Sequence, residues 1–315
     1  MKLRTEISIP KANFEISHRD AILAMGSCFA DCIGNKLLFN KFNILSNPFG
    51  TIFNPLSISD LLNKSLKQDY DFHTVQSQGI WQAYECHSEL GNTNKDELLK
   101  NLKSQIDLTH NQLQNSNTLI ITLGTAIVYK EKNLNISVAN CHKVDSNSFE
   151  KIILTSHEIV ESLGATFQLL QVQNPSLRII LTVSPVRHIK DTLQLNALSK
   201  SILRVACHEL ESKLKNVHYF PSFEIMMDDL RDYRFYKDDM IHPTDLAENH
   251  IWEQFLATFC NAETHSIIAQ WNKLSKALAH KPFFPESEAF QKHQVETSKK
   301  LEEFNKVLEM RLKKQ

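Results

Sequence analysis

A serine, an aspartate and a histidine are placed in this sequence where together they could carry acyl chemistry. Ser27 follows Ala21-Ile22-Leu23-Ala24-Met25, a continuous apolar run of strand length. It precedes Phe29, Cys32, Ile33 and Leu37, which recur at helical spacing. The junction Gly26-Ser27-Cys28-Phe29-Ala30 is therefore predicted to turn a strand into a helix, with Ser27 beside first-turn N–H groups that lack intrahelical partners. Those groups and the helix dipole stabilise negative charge on an oxygen, so a serine there can act as a nucleophile. The same position is also where a serine ordinarily caps a helix. The second element is Asp239-Met240-Ile241-His242-Pro243. An aspartate three residues before a histidine in a loop can turn its carboxylate onto Nδ1, fixing the tautomer and leaving Nε2 as a base. A serine hydroxyl needs such a base, so Ser27, Asp239 and His242 form a complete set. Asp238 is an alternative acid, although the three-residue spacing favours Asp239. The plainer use of this segment is a turn, with its carboxylate capping or pairing with Arg234.

Positioning these groups requires strands and helices in alternation. Thr118-Leu119-Ile120-Ile121-Thr122-Leu123 and Leu177 through Val183 are apolar runs that predict buried strands, and Val217–Phe220 predicts a short one. Helices are predicted after Asn94, with Glu97 as its capping partner, and after Thr155, with Glu158. The first carries Leu98, Leu102, Ile106, Thr109 and Leu113 on one face; the second carries Ile159, Leu163, Phe167 and Leu170 and ends at Asn174-Pro175. A further helix is marked by Leu195, Leu198, Ile202, Val205 and Leu210, and Asp245 with Glu248 opens another. Residues 47–55 predict turns, and the stretch from there to about Ser88 is mixed. Such alternation implies βαβ units and a parallel sheet whose ligand site forms at the carboxyl ends of the strands. Ser27, Gly124 and Ser184 each follow a predicted strand and so could meet at one rim. Beyond residue 262 the pattern changes. Ile267, Trp271, Leu274 and Leu278 form one helical stripe and Leu301, Phe304, Leu308 and Leu312 another, with Pro282 and Pro285 between them. The expected division is a domain over 1–262 and a helical extension over 263–315, packing on that domain or on a second subunit as a homodimer.

Bulk properties narrow the classes. With 315 residues, 42% of them hydrophobic and 18 phenylalanines, the chain can bury a large core. Lys and Arg total 35 against 36 Asp and Glu, a net charge of −1 that gives no electrostatic reason to bind nucleic acid or an anionic membrane. No apolar stretch is long enough for a membrane span, and the N-terminus shows no signal-peptide pattern. The six cysteines are scattered without Cys-x-x-Cys pairs, which fits a reduced, cytoplasmic setting. Seven glycines and no Walker A loop disfavour a nucleotide phosphate site. His-Glu-x-x-His and Gly-x-Ser-x-Gly are absent, and His157-Glu158 and His208-Glu209 lack a second histidine at ligand spacing. No metal or cofactor is expected.

Gly26-Ser27-Cys28-Phe29-Ala30 is the name-giving motif of the GSCFA-domain family. The resemblance extends to Asn47-Pro48-Phe49-Gly50-Thr51 with Asn54-Pro55, Leu123-Gly124-Thr125-Ala126, Thr182-Val183-Ser184-Pro185-Val186 and Asp239-x-x-His242-Pro243, in order over about residues 5–260. That family is similar to the SGNH/GDSL hydrolases. The resemblance implies a flavodoxin-like three-layer α/β/α sandwich and ester hydrolysis or acyl transfer without a cofactor. It also implies Ser27 as nucleophile, His242 as base and Asp239 as its orienting acid, with the N–H groups of Cys28 and Gly50 as oxyanion donors. One departure stands out. Where SGNH enzymes usually supply an asparagine from a Gly-x-Asn-Asp block, Gly124 is followed by Thr125 and Ala126, so Thr125 or Asn54 would have to replace it.

Two further pairs could contact substrate, His87-Ser88 after the aromatic Trp81 and Tyr84, and Arg187-His188 after the Ser184-Pro185 turn; surface loop polarity explains either equally well. Cys28 offers a thiol beside Ser27, although packing beneath the first helical turn is its plainer use. The expected substrate is a small-molecule or carbohydrate ester, with a small acyl group such as acetyl by analogy. The alternative is a binding or scaffold protein that keeps the fold without the chemistry.

Overall fold

A computed structural model of the chain describes residues 5–313. Its centre is a parallel sheet of β1 (Ala21–Gly26), β2 (Asn43–Ser46), β3 (Thr118–Leu123), β4 (Arg178–Val183) and β5 (Val217–Tyr219). The strands lie in the order β2-β1-β3-β4-β5. This is the doubly wound order of flavodoxin type, in which the strand order reverses between β1 and β3 and leaves a crevice at their carboxyl ends.

The apolar runs build two cores because alternate residues of a strand face opposite sides. Leu23, Met25, Leu119, Ile121, Leu123, Leu181 and Val183 face one core. It is closed by α2 (Pro55–Lys67), α3 (Lys95–Asn115), α4 (Ser156–Gln173) and α5 (Leu193–Lys213). Ile22, Ala24, Ile120 and Ile180 face the other, closed by α1 (Cys28–Phe39) and α6 (Asp245–Phe259). The result is the expected three-layer α/β/α sandwich.

Two helices match their sequence signals closely. Leu98, Leu102, Ile106, Thr109 and Leu113 are the buried residues of α3, which Asn94 caps. Thr155 and Glu158 form the complete capping box of α4. Three features went unforeseen. Asn54-Pro55 opens α2 rather than a simple turn, β2 adds an edge strand, and two small antiparallel sheets are inserted. One is a hairpin of Thr74–Ser77 with Ile80–Ala83; the other joins Ile127–Glu131 to Ile136–Val138 and Phe149–Ile153.

After α6, the helices α7 (Ala262–Leu278) and α8 (Glu288–Lys313) form an antiparallel pair around Ile267, Trp271, Leu274 and Phe304. The pair packs on its own domain. Trp271 meets the Phe39 ring and lies under the Lys41 ammonium at 3.9 Å, and Ile268 enters the core beside α1 and α6. Among the described residues, no helix is long and apolar enough to cross a membrane, and the six cysteines are unpaired.

Candidate functional site at the carboxyl ends of the sheet

The corner from β1 into α1 is pinned on both sides. Gly26 has φ +141°, and a Cβ there would fall on the carbonyl oxygen of Thr122 in β3, so only glycine fits. Its N–H donates to Asn47 Oδ1 at 2.8 Å, its carbonyl accepts from Ile52 N–H at 2.8 Å, and Ser27 N–H donates to Thr122 O at 3.0 Å. Ser27 then caps α1, its Oγ accepting from Phe29 N–H at 3.3 Å. The side chain is fully buried, at 0% exposure. Asn47 also donates to Asp31 Oδ1 in the first turn of α1 at 2.7 Å, and burial raises the Asp31 carboxyl above its ordinary range.

The histidine lies on the loop before α6. Asp239 Oδ1 accepts from the N–H groups of Ile241 and His242 at 2.8 and 3.0 Å, and Oδ2 lies 2.7 Å from His242 Nδ1. These hydrogen bonds favour the ionised carboxylate and hold Asp239 down at about 2. An ionised partner places the imidazole proton on Nδ1 and directs the free lone pair to Nε2. Met240, at φ +57°, makes the tight turn between them. Arg187 N–H donates to Ile241 O at 3.2 Å, which ties this loop to the chain leaving β4. The Asp239–His242 pair is thus assembled and half-exposed. Among the described residues no hydrogen bond joins Ser27 Oγ to His242.

The proposed oxyanion donors fare unequally. Gly50 N–H closes a turn onto Asn47 O at 2.8 Å, and the N–H groups of Gly124 and Thr125 both donate to Phe53 O, at 2.8 and 3.0 Å. The Thr125 hydroxyl is held by Ser199 Oγ and by Ile127 N–H, each at 3.0 Å. Asn54 caps α2, with Oδ1 on Ser57 N–H at 2.8 Å and Nδ2 on Ser57 Oγ and Val138 O. Only the Cys28 N–H, in the first turn of α1, has no carbonyl acceptor among the described residues. The Cys28 thiol is pushed up by burial and by Asp31 and drawn down by Lys200.

His87, Arg187 and His188 lie around this rim, whereas Ser88 Oγ is 3.1 Å from His142 Nδ1 and accepts from Asn140 Nδ2 at 3.1 Å. His87 approaches Gly50 so closely that a Cβ on Gly50 would strike it, and its Nδ1 accepts from Glu89 N–H at 3.4 Å. The Arg187 guanidinium lies over Tyr236 at 3.9 Å and Tyr233 at 5.4 Å. His188 packs edge-on against Phe53, and its Nε2 is buried without a partner. Burial and the nearby Lys200 push His188 down to about 4, so it is neutral at physiological pH.

Lys200 escaped sequence reasoning. It is 1% exposed, and its ammonium donates to Gly124 O at 2.7 Å and Ser184 O at 2.8 Å. The signal was its phase on α5. Asn196, Ser199, Lys200, Leu203, Cys207 and Leu210 form the buried face, whereas the Leu198 and Val205 of the expected stripe are half-exposed. A lysine in line with Leu203 and Leu210 marks a buried charge.

Together these features define a doubly wound α/β protein with a serine-capped helix at its switch point and an Asp–His pair on the loop before the last core helix. The chain belongs to the GSCFA family, whose model it matches over residues 21–255; residues 271–314 match the C-terminal domain of GSCFA domain proteins. No curated protein matches the chain.

Proposed function

We propose that the chain is a serine ester hydrolase or acyltransferase that works through an acyl-enzyme on Ser27. The observation that carries this reading is the Asp239–His242 pair at 2.7 Å, with the carboxylate held ionised and Nε2 left as a base. Ser27 Oγ leaves its cap bond to Phe29 N–H and gives its proton to His242 Nε2 as it attacks the ester carbonyl. The negative charge that develops on the carbonyl oxygen is collected by Cys28 N–H and the positive end of α1. Collapse of the tetrahedral intermediate expels the alcohol, which takes the proton from His242. Water or an acceptor hydroxyl then attacks the acyl-enzyme with His242 again as base. The resemblance to SGNH enzymes favours a small acyl group on a carbohydrate as the ester.

A second reading is favoured by one specific observation. Ser27 is fully buried as a cap, and the N–H groups of Gly50, Gly124 and Thr125 are taken by carbonyls, as in a binding protein that retains the fold alone. A fluorophosphonate probe separates the two. Labelling of the parent that disappears in Ser27→Ala and His242→Ala is the expected outcome; a well-folded parent that takes no label supports the binding protein.

A further inference from the structure

Lys200 is a buried charge with no countercharge. Among the described residues no carboxylate pairs with it. Its two close partners are the carbonyls of Gly124 and Ser184, the residues at which β3 and β4 end. The titratable groups that bear on it are Cys28 in α1 and His188 beyond β4, while Asp31 reaches Cys28, and Asp191 and His242 reach His188. An ammonium in such a place costs folding energy, and methionine would fill the space more cheaply. That cost calls for a function.

We propose that Lys200 is the positioning residue of this site, tying the ends of β3 and β4 together and setting a positive potential at the first turn of α1, where charge develops during attack by Ser27. This rests on the serine-hydrolase reading for its use, but the potential itself can be measured without it. Burial brings Lys200 down to about 7, so the potential is present below neutral pH and fades above it. Cys28, next to Ser27 and partly exposed, reports it, because a nearby cation raises the thiolate fraction.

The test follows modification of Cys28 by methyl methanethiosulfonate, quantified on its peptide by mass spectrometry at pH 6 and pH 8.5. Parent, Lys200→Met and Lys200→Gln are compared, and the ratio between the two pH values within each protein removes differences in access. The glutamine variant keeps a donor for one carbonyl if the methionine variant fails to fold. Both variants should lower the Cys28 rate about tenfold at pH 6 and leave it near the parent's at pH 8.5. Fluorophosphonate labelling of Ser27 should fall in parallel below pH 7. An unchanged Cys28 ratio in folded variants overturns the inference even where Ser27 labels normally. A Cys28 response in a parent whose Ser27 takes no label upholds the potential and removes the hydrolase reading instead.

Discussion

Gly26 is the residue on which the site's geometry depends most directly. Its φ of +141° and its contact with Thr122 O leave no room for a side chain, so Gly26→Ala should cost about 2–4 kcal/mol, read as a shift of the urea midpoint. Asp239→Asn should leave the fold intact while slowing Ser27 labelling by about 10²–10⁴-fold, because the imidazole loses the acceptor that sets its tautomer. The depressed Asp239 pKa has a definite sign. Its contribution to stability is complete above the ordinary carboxylate value of ~4 and is lost as pH falls towards about 2. For Lys200 the linkage runs the other way. Between about 7 and the ordinary lysine value of ~10.4 the unfolded chain holds a proton that the native chain has released, so stability climbs with pH. The urea midpoint of the parent relative to that of Lys200→Met should therefore rise between pH 7 and 9, since the thiols that burial pushes up shift both proteins alike. Ser27, Asp239 and His242 could be picked out from residue type and local spacing. The fate of the Gly50, Gly124 and Thr125 N–H groups could not, since it depends on the carbonyls of Asn47 and Phe53.

At the scale of elements, legibility followed how one-sided each segment is. On α3 and α4 every predicted apolar position is buried, because these helices press a uniform stripe onto the sheet. On α5 the buried face mixes Asn196, Ser199 and Lys200 with Leu203 and Leu210, while Leu193, Leu198 and Val205 remain exposed. The expected stripe there overlaps the buried face at Leu210 and Ile202 but includes the exposed Leu198 and Val205, although the helix itself is placed correctly. On α2 the buried Ser57, Ser59, Lys64 and Ser65 diluted the apolar stripe, even though Asn54-Pro55 is a good N-cap and first-turn signal. The box at α4 offers a direct measurement. Thr155→Ala removes the Thr155 acceptor for Glu158 N–H and the hydroxyl bonded to Glu158 Oε2, which should cost about 1 kcal/mol with no change in Ser27 labelling.

Across the whole molecule, the α7–α8 pair is held by a small cluster of its own, joined to the domain through Trp271, Ile268 and the contacts of Arg19 with the Glu263 carboxylate and the Arg311 carbonyl. Trp271→Ala should loosen the pair without unfolding the sandwich. Proteolysis in the 279–287 connection should accelerate while the main urea transition keeps its midpoint. The central sheet has a separate consequence at its margins. Its outer strands, β2 and β5, have four and three residues, against six in each of the inner three. So short a border gives a stray chain few backbone groups to zip onto, which guards the protein against edge-to-edge aggregation.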